Sequence, residues 1–137
     1  MLGKWKTFRD PDGILAPIEF NSLPFEPKRI FYVSGVPKGE ERGMHSHYNT
    51  QQIITCLQGE ILVKLHNGFI LQEYTLRPDE WIFIDRLIWD SQVFLTGQDI
   101  LMSMCSTIYD RLDYIEDFDV FLRCLTNDTF TLRENEG

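Results

Sequence analysis

From residue 29 to residue 105 the sequence is a succession of short β-branched and aromatic runs, each closed by turn-forming residues. Arg29-Ile30-Phe31-Tyr32-Val33 stops at Ser34-Gly35, and Gln52 to Leu57 stops at Gln58-Gly59. Glu60 to Leu65 alternates Ile61, Val63 and Leu65 with Glu60, Leu62 and Lys64, the two-residue period of a strand with one buried face. His66-Asn67-Gly68 carries the Asn-Gly signal of a tight hairpin, from which Phe69 to Leu76 return. A turn at Arg77-Pro78-Asp79-Glu80 precedes three further runs, Trp81 to Ile84, Ser91 to Leu95 and Ile100 to Cys105. Strands this short, evenly spaced and separated by turn chemistry, imply an all-β antiparallel sandwich or barrel. Only the end departs from this pattern. Between Arg111 and Leu125, apolar Leu112, Ile115, Phe118, Phe121, Leu122 and Leu125 recur at three- and four-residue steps, which predicts one short amphipathic helix, or two turns, on the sandwich. Residues 126–137 are polar and acidic and read as a flexible tail.

The chain's 137 residues suit one domain, spanning 1–137, with one core. Ten Phe, five Tyr and three Trp supply large rigid side chains to fill it. Thirteen basic against twenty-one acidic residues leave a net charge of -8, which repels nucleic-acid phosphates on average. That balance still allows a local basic pocket for one phosphorylated small molecule. No apolar run approaches the roughly 18–20 residues that span a bilayer. The N-terminal stretch MLGKWKTFRD has no apolar segment of the secretory kind. Cys56, Cys105 and Cys124 have no metal-ligand spacing, and an odd count without an export signal reads as reduced, buried thiols in a cytoplasmic protein.

Polar chemistry concentrates in Arg42-Gly43-Met44-His45-Ser46-His47. On an extended strand, residues two apart share a face, so His45 and His47 would look into one cavity. Imidazoles titrate near neutrality and suit proton transfer. His66, at its hairpin tip, reads as simply exposed.

The His-x-His pair, Gln52 five residues after it and Gly59 seven further on resemble the first motif of the cupin jelly roll, with Gln where metal-binding members have Glu. A later-strand metal-ligand position of that fold falls near Trp89-Asp90. Two alternatives therefore stand beside a metal-free enzyme: a metal-dependent cupin using His45, His47 and Asp90, and a non-catalytic nucleotide-sugar-binding cupin.

More specifically, residues 8–125 resemble the sugar-nucleotide 3,4-ketoisomerases. The likeness rests on Pro24-Phe25, Lys28-Arg29-Ile30-Phe31-Tyr32, Lys38-Gly39-Glu40, the Arg-Gly-x-His-x-His stretch with Gln52, and Cys56-Leu57-Gln58-Gly59. It continues through Leu87-Ile88-Trp89 to Tyr109-Asp110 and Asp113-Tyr114-Ile115. The resemblance implies a cupin jelly-roll homodimer that uses no metal or other cofactor. It implies conversion of a dTDP-linked 4-keto-6-deoxyhexose to its 3-keto isomer, in deoxyamino-sugar biosynthesis for a surface polysaccharide or an antibiotic. By family position His45 is the expected base, with His47 as its partner. Gln52, Tyr32, Arg42 and Trp89 are expected at the substrate, with Arg29 and Arg42 on the diphosphate. Two positions depart from the family: Asp90 stands where relatives carry His or Arg, and Asp12 where they carry Arg or Tyr. Both are expected near the sugar ring, Asp90 as a proton donor and Asp12 as a substrate contact.

Overall fold

The computed structural model describes residues 2–126. The expected tail lies outside these residues, apart from Thr126, which is helical.

Among the described residues twelve strands succeed one another: β1 (Leu2–Lys4), β2 (Phe8–Asp10), β3 (Gly13–Leu15), β4 (Arg29–Ser34), β5 (Glu41–His47), β6 (Gln52–Gln58), β7 (Ile61–His66), β8 (Leu71–Leu76), β9 (Glu80–Ile84), β10 (Trp89–Phe94), β11 (Ile100–Cys105) and β12 (Tyr114–Ile115). They form one five-stranded sheet in the order β1-β9-β6-β11-β4, a second in the order β12-β5-β10-β7-β8, and the separate hairpin β2-β3. Every strand pair in these sheets is antiparallel.

The two sheets face each other across one apolar core. Ile54, Cys56, Ile82, Ile84 and Leu101 from the first sheet meet Ile61, Val63, Leu65, Leu76 and Phe94 from the second. Alternation explains which residues enter. Along β7 every second side chain is buried, as Ile61, Val63 and Leu65 require. Strand β6 is buried on both faces, because the N-terminal segment crosses its outer side. There Trp5 packs at 5.8 Å on Trp81 and its indole N–H donates to Thr55 Oγ1 at 2.9 Å. Gly59 ends β6 with φ +85°, and a Cβ there would stand 2.1 Å from Asp99 Oδ1. The bare backbone lets the Asp99 carboxylate accept from the amides of Glu60, Thr96 and Gly97 and from the Thr96 hydroxyl.

The C-terminal region is less uniformly helical than its apolar spacing suggests. Asp110 caps a single 3-10 turn over Arg111–Asp113, β12 follows, and among the described residues the helix covers 118–126. Asp117 begins that helix, its carboxylate accepting from the amides of Asp119 and Val120. The helix buries Phe121 with Leu87 and Ile115 in a second small core. His66 lies half-buried at its edge, 5.1 Å from Phe118, and its Nδ1 accepts from Gly68 N–H; the simple exposure expected of it is corrected. Cys56 and Cys105 are buried and Cys124 half-buried. No helix among the described residues is long and apolar enough to cross a membrane.

Candidate active site

Between the sheets, at the end where β5 and β10 pair, lies a cavity of about 210 Å³. Phe31, Val33, Ile54, Phe94 and Leu101 form apolar walls; Arg42, His45, Gln52, Asp90, Gln92 and Tyr114 supply the polar groups.

A local irregularity produces this lining. Asp90 pairs with His45, but the next residue, Ser91, pairs with Gly43, so Met44 is an extra residue in β5. Gly43 has φ +91° and Met44 φ +58°. Residues 42 and 45 are three apart and would face opposite sides of a regular strand. The bulge turns both Arg42 and His45 toward the cavity. Glycine suits 43, where φ is positive and a Cβ would press on Gln92 Oε1 at 3.0 Å and on the Asp90 carbonyl oxygen at 3.2 Å.

His45, His47 and Tyr114 form a tight aromatic group. The ring centroids lie 4.9 Å apart for the two histidines, 5.3 Å for His45 and Tyr114, and 4.5 Å for His47 and Tyr114. Tyr114 reaches them because β12 pairs with β5, opposite His47. The preceding Asp113 anchors that strand by accepting from the amides of Asn49 and Thr50 and from the Thr50 hydroxyl. His47 is 3% exposed and its Nε2 has no hydrogen-bond partner among the described residues. Burial, and then the adjacent His45, bring its imidazole down to about 4, so it is neutral at pH 7.

Asp90 is 1% exposed. Gln92 Nε2 donates to its Oδ1 at 2.6 Å, while Oδ2 has no partner among the described residues. Burial pushes its carboxyl up to about 6, against the opposing pull of His45 and the Gln92 hydrogen bond. A carboxyl titrating there can give up or take a proton near neutrality. The same geometry could gather a cation: His45, His47 and Asp90 offer ligand atoms within 4.8 Å of one another.

Among the residues expected at the site, His45, Arg42, Gln52 and Asp90 line this cavity, and His47 sits directly behind His45. Four others do not line it. Tyr32 points outward from β4, 72% exposed, because Phe31 and Val33 take the inward positions of that strand. Trp89 takes the face of β10 opposite Asp90 and packs in the second core at 5.2 Å from Phe118 and 5.8 Å from Phe121. Asp12 lies exposed in the β2–β3 turn. Arg29 lies over the rings of Phe31 and Tyr109 at 5.7 and 5.5 Å, so it backs the aromatic group from outside the cavity. Two cavity residues escaped the sequence reading. Tyr114 was visible only as part of the closing Asp113-Tyr114-Ile115 signature. Gln92 was hidden inside a strand, although its two-residue spacing from Asp90 puts both on one face.

The family described as FdtA, WxcM-like, C-terminal, matches residues 2–126. The TDP-4-oxo-6-deoxy-alpha-D-glucose-3,4-oxoisomerase of Aneurinibacillus thermoaerophilus is 34% identical over 119 residues, 85% of this chain and 86% of its own. A mutant of the 3,4-ketoisomerase QdtA from Thermoanaerobacterium thermosaccharolyticum, in complex with TDP-4-keto-6-deoxyglucose, superposes with a TM-score of 0.86 at 31% identity, over 90% of this chain and 91% of that one. At the level of fold alone, the rmlC epimerase of Mycobacterium tuberculosis matches at 13% identity with a TM-score of 0.73, covering 82% of this chain and 66% of that one.

Proposed function

Because the chain belongs to the FdtA, WxcM-like, C-terminal family, we propose that it is a sugar-nucleotide 3,4-ketoisomerase that acts on a dTDP-linked 4-keto-6-deoxyhexose and passes it on toward a deoxyamino sugar. The observation that carries the mechanism is the pairing of Asp90 with His45 across β10 and β5 in one cavity. The reaction moves a hydrogen from C3 to C4 and a carbonyl from C4 to C3, so it needs a base at C3 and an acid for C4. His45 is the base. His47, neutral and buried behind it, orients it. Asp90 is the acid and is held partly protonated at neutral pH by its burial. Gln52 meets the sugar hydroxyls, and Arg42, exposed at the cavity's edge, takes the diphosphate.

The homodimer belongs to the same proposal. Strand β4 ends its sheet with an unpaired edge, and exposed Ile30 and Tyr32 lie on its outer side. The β2–β3 hairpin exposes Phe8, Ile14 and Leu15. A second copy would cover these apolar groups, and any contact of Asp12 or Tyr32 with substrate would be to the partner's cavity. The free thiols and the nucleotide-sugar substrate favour a cytoplasmic setting.

The test is incubation with TDP-4-keto-6-deoxyglucose in heavy water. Solvent deuterium on the ring together with a 3-keto product supports the proposal. Absence of both across several 4-keto nucleotide sugars leaves a binding protein. The cluster of His45, His47 and Asp90 makes a metal-dependent enzyme the second reading. A stoichiometric, tightly held transition metal in protein purified without added metal would favour it over metal-free proton transfer.

A further inference from the structure

Two residues beyond Asp90 on β10, Gln92 shares its face and its cavity. The hydrogen bond from Gln92 Nε2 occupies Asp90 Oδ1, whereas Asp90 Oδ2 is buried with no partner. The two carboxyl oxygens are therefore unequal. Oδ1 is committed as an acceptor, so a proton on this carboxyl resides on Oδ2. The oxygen of the amide that imposes the difference faces β5. Gln92 Oε1 sits over the bare backbone of Gly43, in space that a Cβ would invade. With its oxygen seated there, the amide turns its nitrogen toward Asp90.

Resting on the ketoisomerase reading, we infer that Gln92 is a positioning residue, which holds Asp90 so that Oδ2 delivers the proton to C4. In the forward direction the C3–H bond breaks and its proton passes to His45. The electron pair forms a C3=C4 double bond while O4 takes up a proton. The C3 hydroxyl then loses its proton as C3=O forms, and C4 gains a C–H bond with the proton from Asp90 Oδ2. The proton on His45 restores Asp90, and the one released by O3 replaces the one taken up by O4. C3 is oxidised and C4 reduced within one molecule, with no other reactant. Gln92 acts only on the protonation of C4.

The experiment compares wild type, Gln92→Leu and Asp90→Asn on TDP-4-keto-6-deoxyglucose in heavy water. It follows deuterium at C3 of unreacted substrate and the yield of 3-keto product. With C4 protonation impaired, the intermediate returns to substrate and collects solvent deuterium at C3. The expected result for Gln92→Leu is about a tenfold or larger rise in exchange per product formed, a fall of similar size in kcat, and KM within about twofold. In the Asp90→Asn background the second substitution should add less than about twofold. Equal loss of exchange and product in Gln92→Leu would overturn the inference, as would a further tenfold loss in the double variant. If Gln92→Leu folds poorly, Gln92→Met, which also lacks the amide, carries the same comparison. Wild type showing neither exchange nor product on this and several other 4-keto nucleotide sugars would instead refute the ketoisomerase reading.

Discussion

Strand β10 has two sides, and they are built differently. Toward β7 its register runs without interruption from Trp89 opposite His66 to Phe94 opposite Ile61. Toward β5 it breaks between Asp90 and Ser91, with Met44 left over. The unbroken side keeps strict alternation and places Ile61, Val63 and Leu65 in the core beside Phe94. The broken side changes the parity of β5, so Arg42 and His45, of opposite parity, look into the same cavity. Regular pairing closes a core, and one inserted residue opens a site in it.

The largest separation of the two sides should come from one substitution on each. His45→Asn removes the imidazole from the cavity wall. Turnover should fall at least about a hundredfold, while the melting temperature moves little. Val63→Ala removes buried methyl groups on the unbroken side. It should cost about 1–3 kcal/mol in denaturant unfolding and leave turnover per folded molecule unchanged. A His45→Asn variant with near-normal turnover would move the base to His47 or end the proton-transfer account.

Gly43→Ala attacks the break itself. The added Cβ requires a left-handed conformation and presses on Gln92 Oε1 and on the β10 backbone. The expected cost is about 1–3 kcal/mol of stability together with about a tenfold loss of turnover, because the atoms displaced belong to the site. Loss of stability alone would mean that the cavity wall tolerates a changed bulge.

The difference between the two sides also marks how far the sequence could be read. Alternation and turn residues disclose the unbroken strands, since each buried side chain follows from its neighbours two residues away. The same rule separates Trp89 from Asp90 and Tyr32 from Phe31, so neither Trp89 nor Tyr32 could join the cavity that its neighbour lines. The bulge has no such signature: Gly43 is suggestive, but only the pairing with β10 shows that Met44 is the extra residue. Tyr114 was obscured differently. Apolar spacing from Leu112 to Leu125 is helical in period, yet Asp113 turns back to hold the loop after His47, and the helix waits for its cap at Asp117. Long-range hydrogen bonds of that kind leave no local pattern.

A smaller effect concerns the two buried titrating groups on the broken side. His47, at about 4, lies below its ordinary 6.5, so on acidification the unfolded chain takes up that proton first. The stability it contributes is present above about pH 6.5 and is lost as the pH falls through 4. Asp90 has the opposite sign. Its folded value of about 6 lies above the ordinary 3.8, so its contribution is present below 3.8 and is lost as the pH rises through 6. Between pH 4 and 6 the two slopes oppose each other. Relative to wild type, Asp90→Asn should therefore lose stability from pH 6.5 to pH 4, by on the order of 2 kcal/mol, and His47→Asn should gain it. Melting temperatures of all three proteins across that range give the differences. Parallel curves would mean that neither group is held away from its ordinary value.

The smallest effect isolates the backbone of the bulge from its side chains. Met44 holds φ at +58° on a side chain that is 49% exposed. A left-handed conformation costs a non-glycine residue about 1–2 kcal/mol, and glycine's extra freedom in the unfolded chain returns about 0.5–1 kcal/mol of that. Met44→Gly should therefore stabilise by about 0.5 kcal/mol, a rise of roughly 2 °C in melting temperature, with turnover unchanged. Met44→Val should go the other way, since a β-branched residue resists that conformation most. Turnover carries the sharper information. Two successive glycines leave the bulge free to settle at either 43 or 44. If Met44→Gly melts higher but turns over more slowly, then Met44 fixes where the extra residue sits, and with it the facing of Arg42 and His45. If stability falls instead, the methionine side chain holds the bulge by packing, and the backbone account of the broken side is wrong.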